Sequence, residues 1–231
     1  DLSMNTAAQA YIEFNSDFDT TVTIKQGDID FTPTPMTGVT RMMFERVGDE
    51  VAKRATSCVR YEPDSYFDWH QHARGEEYLV LDGTFSDQKG HFSKGWYVRN
   101  PPASRHKPFS VGGTEIFVKL AQLPFDETAF VEMDTNAATW SEIDSKESML
   151  ELYNSPYEQT SLHRYGAGFR AEDLRFTDVF EVFVVDGAIT VNGVDYPDHS
   201  WIRIAAGEAI NLHSSLGATV YRKIGKGFVH F

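Results

Sequence analysis

Short runs of apolar residues, many of them alternating with polar ones, recur along most of the chain. They are rich in Val, Ile, Phe and Tyr, and they end at turn-forming pairs such as Asp-Gly at 82–83 and Asn-Gly at 192–193. A period of two is typical of strands with one buried face, and these pairs favour tight turns. Weak helical patterns are confined to residues 4–14 and 141–153. The pattern therefore predicts an all-β fold, with the strand spacing of sandwiches and barrels.

Two parts of the chain resemble each other. Residues 58–120 match residues 162–224 at a constant offset of 104 positions, without a gap. The apolar segments coincide at that offset: YLVLDG lies over VFVVDG, and YVRNPP lies over WIRIAA. Equal spacing with the same apolar pattern indicates two copies of one β domain. We place the first domain at residues 10–127 and the second at residues 138–231, joined by the polar stretch 125–141.

Composition and charge narrow the classes of function. The 231 residues are 41% hydrophobic and 24% charged, which is ordinary for a globular protein. No apolar run is long enough to cross a membrane. The net charge of -13, without a basic stripe, excludes nucleic acid as an expected partner. The single cysteine, Cys58, cannot form an internal disulfide and fits a cytoplasmic location. We expect a homodimer.

The segment HQHARGE at residues 70–76 concentrates side chains that bind metals. On a single strand, His70 and His72 would point to one face, and Glu76 shares their parity. Imidazoles with a carboxylate suit zinc, iron, manganese, nickel or copper. Glu77 is the competing carboxylate, but its parity is opposite. Because Glu77 recurs as Glu181 in the second copy, we interpret it as a structural residue.

These residues and a second segment resemble the two sequence motifs of the cupin superfamily, G-x5-H-x-H-x3-E-x6-G and G-x5-P-x-G-x2-H. The matching positions are His70, His72, Glu76 and Gly83 in the first motif, and Gly95, Pro101 and His106 in the second. Asp64 and Ala103 stand where the motifs have glycine, both at turns. The resemblance implies a pair of tandem double-stranded β-helix (jelly-roll) barrels. It also implies that His70, His72, Glu76 and His106 ligate one divalent metal.

The run from residue 38 to 108, with RATS, VRY, GEE, LVLDGTFSD and YVRNPP, is similar to the ChrR-type cupin family, cupin-7. That family includes the sensor half of ChrR-type anti-sigma factors and stand-alone metal-dependent dioxygenases that cleave carbon–carbon bonds. The anti-sigma factors bind the sigma factor through a preceding domain with a His and Cys-x-x-Cys cluster. Residues 1–27 contain neither Cys nor His, so we do not expect direct binding of a sigma factor.

The second copy lacks the ligand set. At the offset of 104, the four ligand positions are occupied by apolar residues: Leu174, Phe176, Phe180 and Ile210. A barrel without a metal fills its interior with side chains. We therefore expect one metal per chain, in the first domain. His163 lies opposite Val59 rather than opposite a ligand, and we interpret it as structural or exposed.

The identity of the metal separates the hypotheses of function. Four-coordinate zinc would favour a metal-binding sensor module of ChrR type, whereas iron(II) would leave positions for substrate and O2. The second hypothesis is a dioxygenase that cleaves a small diketone or aryl ketone, and a purely structural metal is the third. Zinc is the metal that we expect first, ahead of iron(II), manganese and nickel. Of the functions, we expect the binding module ahead of the oxygenase.

A small-molecule ligand or substrate is the partner we expect, in a pocket beside the metal. Tyr78 shares the parity of Glu76, and the other residues predicted to line the pocket lie near the barrel mouth: Trp96, Phe117 and Lys119. No catalytic acid or base stands out beyond the ligands.

Overall fold

The computed structural model describes residues 8–226, and all regular secondary structure in this part of the chain is β-strand. In chain order, the first fourteen strands are β1 (Ile12–Phe14), β2 (Val22–Ile24), β3 (Thr32–Pro33), β4 (Val39–Gly48), β5 (Ala52–Tyr61), β6 (Ser65–Tyr66), β7 (His70–His72), β8 (Glu76–Asp87), β9 (Gly90–Ser93), β10 (Trp96–Asn100), β11 (Ser104–His106), β12 (Phe109–Ser110), β13 (Thr114–Leu120) and β14 (Val131–Asp134). The others are β15 (Ser141–Asp144), β16 (Glu147–Asn154), β17 (Glu158–Tyr165), β18 (Phe169–Leu174), β19 (Val179–Val191), β20 (Val194–Pro197), β21 (Trp201–Ile204), β22 (Ile210–Ser214) and β23 (Ala218–Gly225).

Both predicted helices are wrong where the structure describes the chain. Residues 141–153 form β15 and most of β16, in which Leu150 and Leu152 are buried and Glu151 between them is exposed. This alternation has the period of a strand, and pairing with β17 selects it. Of the first predicted helix, residues 12–14 form β1, and residues 4–7 lie outside the described part of the chain. Within residues 8–226, no helix is long and apolar enough to cross a bilayer.

The chain divides into two compact units. Within the described residues, the first unit comprises 8–16 and 30–137, and the second comprises 17–29 and 138–226. The sequence placed residues 17–29 with the first domain, but β2 pairs with β21 of the second unit. Apolar alternation locates a strand without indicating which sheet it joins, because the pattern records only which face is buried.

The main sheet of the first unit is antiparallel, in the order β1-β4-β5-β13-β8-β10-β14, with β11 and β7 forming a separate two-stranded sheet. Side chains of β4, β5, β8 and β13 that share one face form the core of this unit. Among them are Val39, Tyr61, Val80 and Ile116. The second unit repeats the arrangement in the order β15-β16-β17-β23-β19-β21-β2.

The repeat extends to details of the backbone. A Cβ atom on Gly83 would lie 2.0 Å from the carbonyl oxygen of Gly113, and one on Gly187 would lie 2.3 Å from that of Gly217. Gly83 and Gly187 also have positive φ, of 65° and 75°, so both positions require glycine. These pairs differ by the same 104 positions found in the sequence, which places two equivalent turns in two equivalent sheets.

Candidate metal centre

Four side chains converge inside the first unit. His70, His72, Glu76 and His106 each offer a ligand atom, and these atoms lie within 4.8 Å of one another. The centroids of the three imidazole rings are 4.7, 4.8 and 4.9 Å apart. Ligand atoms about 2.1 Å from a shared ion lie within about 4.2 Å of each other, so the cluster is close to metal-binding dimensions. The donor set therefore fits a divalent metal.

The four side chains come from three strands. His70 and His106 are direct cross-strand partners on β7 and β11. Glu76 begins β8, after a turn in which Gly75 has a φ of 75°. The assumption that His70, His72 and Glu76 share one strand is thus wrong, because strand parity does not continue through a turn. Glu76 still meets the histidines, since the turn directs β8 back beside them.

Two turn residues that are not glycine adopt the left-handed backbone conformation. Asp64 has a φ of 59° and Ala103 a φ of 68°. These are the positions at which the cupin motifs have glycine, which tolerates that conformation best. The backbone N–H of Ala103 donates to the carbonyl of His72, at 2.8 Å, and so holds the start of β11 beside β7. The departures from the motif leave the ligand geometry intact.

Hydrogen bonds fix the orientation of two imidazoles. Nδ1 of His70 lies 2.8 Å from the carbonyl oxygen of Asp68, and Nδ1 of His106 lies 3.0 Å from the carboxylate of Asp87. When each Nδ1 carries the proton, Nε2 is left to bind the metal. Asn100 donates to Oε1 of Glu76 at 3.2 Å. Sequence analysis missed Asp68, Asp87 and Asn100, because no spacing rule relates them to the ligands.

Burial and mutual charge set the protonation of the ligands. Burial lowers the pKa of His70 to about 4, which keeps this imidazole neutral at pH 7. Burial acts to raise the pKa of Glu76, but His72 and His106 outweigh it and hold the pKa well below its usual range. For His70 and Glu76 these are the neutral imidazole and the ionised carboxylate, the forms that bind metals.

A cavity of about 270 Å³ adjoins the cluster, and all four ligands line it. Most of its wall is apolar and comes from the inner faces of β4, β5, β8 and β13, with Phe67 beside them. The larger apolar residues along these strands and at Phe67 are Val39, Val59, Tyr61, Phe67, Phe85, Ile116, Val118 and Leu120. Ligand cavities typically measure about 300–1,000 Å³, so this one suits a single ring or a short chain.

The sequence of this part of the molecule matches a known family. Residues 19–124 match the family model described as the ChrR cupin-like domain. Over these residues the chain is similar to the ChrR cupin-like domain. The match includes all four residues of the candidate metal cluster, and it confirms the resemblance inferred from the sequence motifs. No curated protein sequence matches the chain.

Solved structures share the fold at low sequence identity. A Pseudomonas aeruginosa protein, provisionally named as glyoxylate induced, has a TM-score of 0.72 and 12% identity, over 99% of this chain and 95% of that chain. Pirin YhhW of Escherichia coli, in complex with nickel(II), has a TM-score of 0.67 and 14% identity, over 90% and 99%. Salicylate 1,2-dioxygenase of Pseudoaminobacter salicylatoxidans with gentisate has a TM-score of 0.57 and 11% identity, over 75% and 68%. The predicted all-β jelly-roll architecture is confirmed.

The cavity of the cupin domain is not lined by the four residues predicted for it. Tyr78 and Trp96 pack in or against the apolar core instead, with Tyr78 4.7 Å from Phe85 between ring centroids. Phe117 and Lys119 lie on the opposite face of β13 from the cavity residues Ile116 and Val118, since side chains alternate along a strand. Lys119 donates to the hydroxyl of Thr56 at 2.8 Å, and the Phe117 ring lies 6.3 Å from that of Phe44.

Glu77 points away from the metal ligands, in accord with its interpretation as a structural residue. Its carboxylate accepts a hydrogen bond from Arg99 at 2.9 Å and another from the hydroxyl of Tyr97. Arg99 also donates to both carboxylate oxygens of Glu127, at 2.6 and 2.9 Å. Glu77 and Arg99 are almost fully buried. This network stabilises the sheet and contributes no ligand to the metal cluster.

The second unit fills the equivalent space with side chains. Phe180 and Ile210 belong to its apolar core, and Leu174 and Phe176 pack against that core. His163 is buried and lies 2.7 Å from a carboxylate oxygen of Glu147, so the expected structural role fits and surface exposure does not. Among the described residues of this unit alone, no three metal-ligating side chains come together.

Replacing Asp87 by Asn should weaken metal binding by the cupin domain roughly ten-fold to a hundred-fold, the usual effect of losing a partner of a ligating imidazole. Asn can still accept from Nδ1 of His106, but the negative charge that orients and polarises the ring is lost. Titration of apoprotein with zinc against a competing chelator measures the change. Asp82→Asn, which alters an exposed carboxylate on the same strand, is the matched control. Equal affinities in the two variants would show that Asp87 does not support His106.

Proposed function

We propose that the cupin domain is a metal-dependent oxygenase that acts on a small organic substrate. The observation that carries the proposal is the shared lining: the four ligands and the apolar wall enclose one cavity. Structural metal sites are typically closed by their ligands, whereas catalytic sites keep a position open toward substrate. A cavity at the metal ligands therefore favours catalysis over a purely structural metal.

The ligand set supports iron(II) in this role. Three imidazoles and one carboxylate leave coordination positions free on an ion that prefers six ligands, whereas they complete a tetrahedral zinc site. Iron bound there would supply O2 chemistry. The protein would supply the rest: Asp87 and the Asp68 carbonyl orient imidazoles, Asn100 orients Glu76, and the apolar wall excludes water. The shared fold of salicylate 1,2-dioxygenase is consistent with this proposal.

A sensor module that binds zinc is the second candidate. It is supported by the match of residues 19–124 to the ChrR cupin-like domain. In that function the metal would be four-coordinate, and the cavity would accept a sensed ligand rather than a substrate. The two candidates differ in whether the iron-loaded protein consumes O2.

Reconstitution with iron(II) under anaerobic conditions separates these functions. After admission of air, we expect O2 uptake that depends on a panel of β-diketones, hydroxylated aryl ketones and their carboxylated analogues. Uptake should vanish in His106→Ala and persist in His213→Ala, which alters a histidine outside the ligand set. No uptake with any compound, together with zinc recovered from protein purified without chelators, would reject the oxygenase in favour of the sensor.

A further inference from the structure

One side of the cavity of the cupin domain carries charged residues. Arg41 and Arg46, both on β4, line the same cavity as the metal ligands, and both are more than nine-tenths buried. Arg41 donates from Nη1 and Nη2 to the two carboxylate oxygens of Glu50, at 2.8 and 2.9 Å. Glu50 lines the cavity as well. Beside Arg74 and the metal cluster, the apolar wall is thus interrupted by two guanidinium groups and one carboxylate from β4 and the loop that follows it.

The positive charge of this group exceeds the negative charge. Arg46 donates to the backbone carbonyls of Asp49 and Glu50, which are neutral acceptors. Burial and the neighbouring charge of Arg41 lower the pKa of Arg46 to about 10, so it remains protonated at pH 7. Nε of Arg41 is buried and has no hydrogen-bond partner among the described residues. Buried charge and buried donors without acceptors favour binding of an anion.

The position of Glu50 allows exchange with an incoming anion. Its side chain is 23% exposed, and the adjacent Val51, which also lines the cavity, is 77% exposed. The cavity therefore reaches solvent beside the Arg41–Glu50 pair. A carboxylate that enters there meets the same two donors that now bind Glu50. Glu50 would then be an internal competitor that keeps Arg41 compensated when the cavity holds no anion.

We infer that the cavity selects a small monocarboxylate with an apolar body, and that Arg41 binds its carboxylate in competition with Glu50. The inference rests on the proposed function in that it takes the cavity as the substrate site. The walls formed by Val59, Ile116 and Val118 would contact the apolar body, and the metal ligands lie along the same cavity. A pair that served only to fasten the loop at residues 49–51 would show no such competition.

The inference is tested by binding to the full chain loaded with zinc, which does not react with O2. Benzoate and benzamide serve as probes of nearly equal shape and different charge, and calorimetry measures their affinities. We expect benzoate to bind more tightly than benzamide. Arg41→Met should weaken benzoate roughly ten-fold or more, as expected for loss of charge-assisted hydrogen bonds, and should leave benzamide unchanged. Arg60→Met, which removes an exposed arginine paired with Glu115, is the control.

Glu50→Gln gives a second test with the opposite sign. Removal of the competing carboxylate should tighten benzoate binding several-fold, so the inference can be judged even where Arg41→Met does not fold. Equal benzoate affinity in wild type, Arg41→Met and Glu50→Gln would overturn it. Loss of benzoate binding in metal-depleted protein, without an effect of Arg41→Met, would also overturn it, because the anion would then bind the metal.

These outcomes are independent of the oxygenase proposal. Benzoate binding that depends on Arg41, without O2 uptake by the iron-loaded protein, would support the carboxylate site and reject the oxygenase. O2 uptake with neutral diketones that is unchanged in Arg41→Met would support the oxygenase and reject carboxylate selection.

Discussion

Glu76→Gln should lower the affinity of the protein for a divalent metal by about ten-fold to a hundred-fold or more. Glu77→Gln should leave that affinity unchanged. The loss should equal or exceed that for a residue supporting a ligand, because Glu76 is itself one of the four convergent groups. Gln is nearly isosteric but neutral, so it removes the anionic ligand without opening a cavity. Competition with a chromogenic chelator, at constant pH, measures the change.

The two neighbouring residues form a matched pair. Both are buried glutamates at the start of β8, yet Glu76 faces the imidazoles and Glu77 faces Arg99. Glu77→Gln should affect the free energy of unfolding and leave metal binding intact in the folded protein. If Glu77→Gln were the variant that lost metal, the register of β8 would have to differ from the one described.

Arg99→Met should lower the free energy of unfolding by about 3–5 kcal/mol, the usual cost of removing one member of a buried ion pair. Arg99 bridges Glu77 and Glu127, and its side chain is fully buried. Its removal leaves two carboxylates in a dry environment without the guanidinium that compensated them. Chemical denaturation followed by tryptophan fluorescence measures the change.

The pair of Arg60 and Glu115, in which the arginine is exposed, provides the comparison for Arg99. Its N···O distance of 3.1 Å is short, but the Arg60 side chain is 51% exposed, so Arg60→Met should cost at most about 1 kcal/mol. Should Arg99→Met not fold, Glu77→Gln gives a milder test, since the amide can still accept from Arg99. Equal stabilities of the Arg99 and Arg60 variants would mean that burial adds nothing to the network.

The strands, the repeat and the cluster of four candidate ligands could be predicted because each follows a pattern or a spacing in the sequence. A period of two identifies a buried face, a constant offset identifies a second copy, and His70, His72, Glu76 and His106 follow the spacing of known motifs. The positive φ of Ala103 is also predictable, because Ala103 occupies a position at which the motif has glycine. In these cases a residue type or a spacing in the sequence was enough for the prediction.

The residues that complete the site could not be predicted in that way, because their role depends on which side chains meet across strands. Asp87 supports His106 from the far end of β8, a relation that no spacing rule encodes. Phe117 and Lys119 were predicted to line the cavity because they lie near the barrel mouth. Side chains alternate along β13, however, so Ile116 and Val118 line the cavity instead. The sequence does not indicate that Arg41 and Glu50 line the cavity, because this depends on the position of β4 in the fold.

The pairing of β2 with β21 has a consequence for biosynthesis. Val22 precedes its partner Arg203 by about 180 residues, so it leaves the ribosome well before that partner. This edge of the second sheet can form only after the residues between the two strands have been synthesised, and such distant pairing is intrinsically slow to form. Until then, the backbone groups of β2 lack their partner strand, and unpaired strands favour association with other chains.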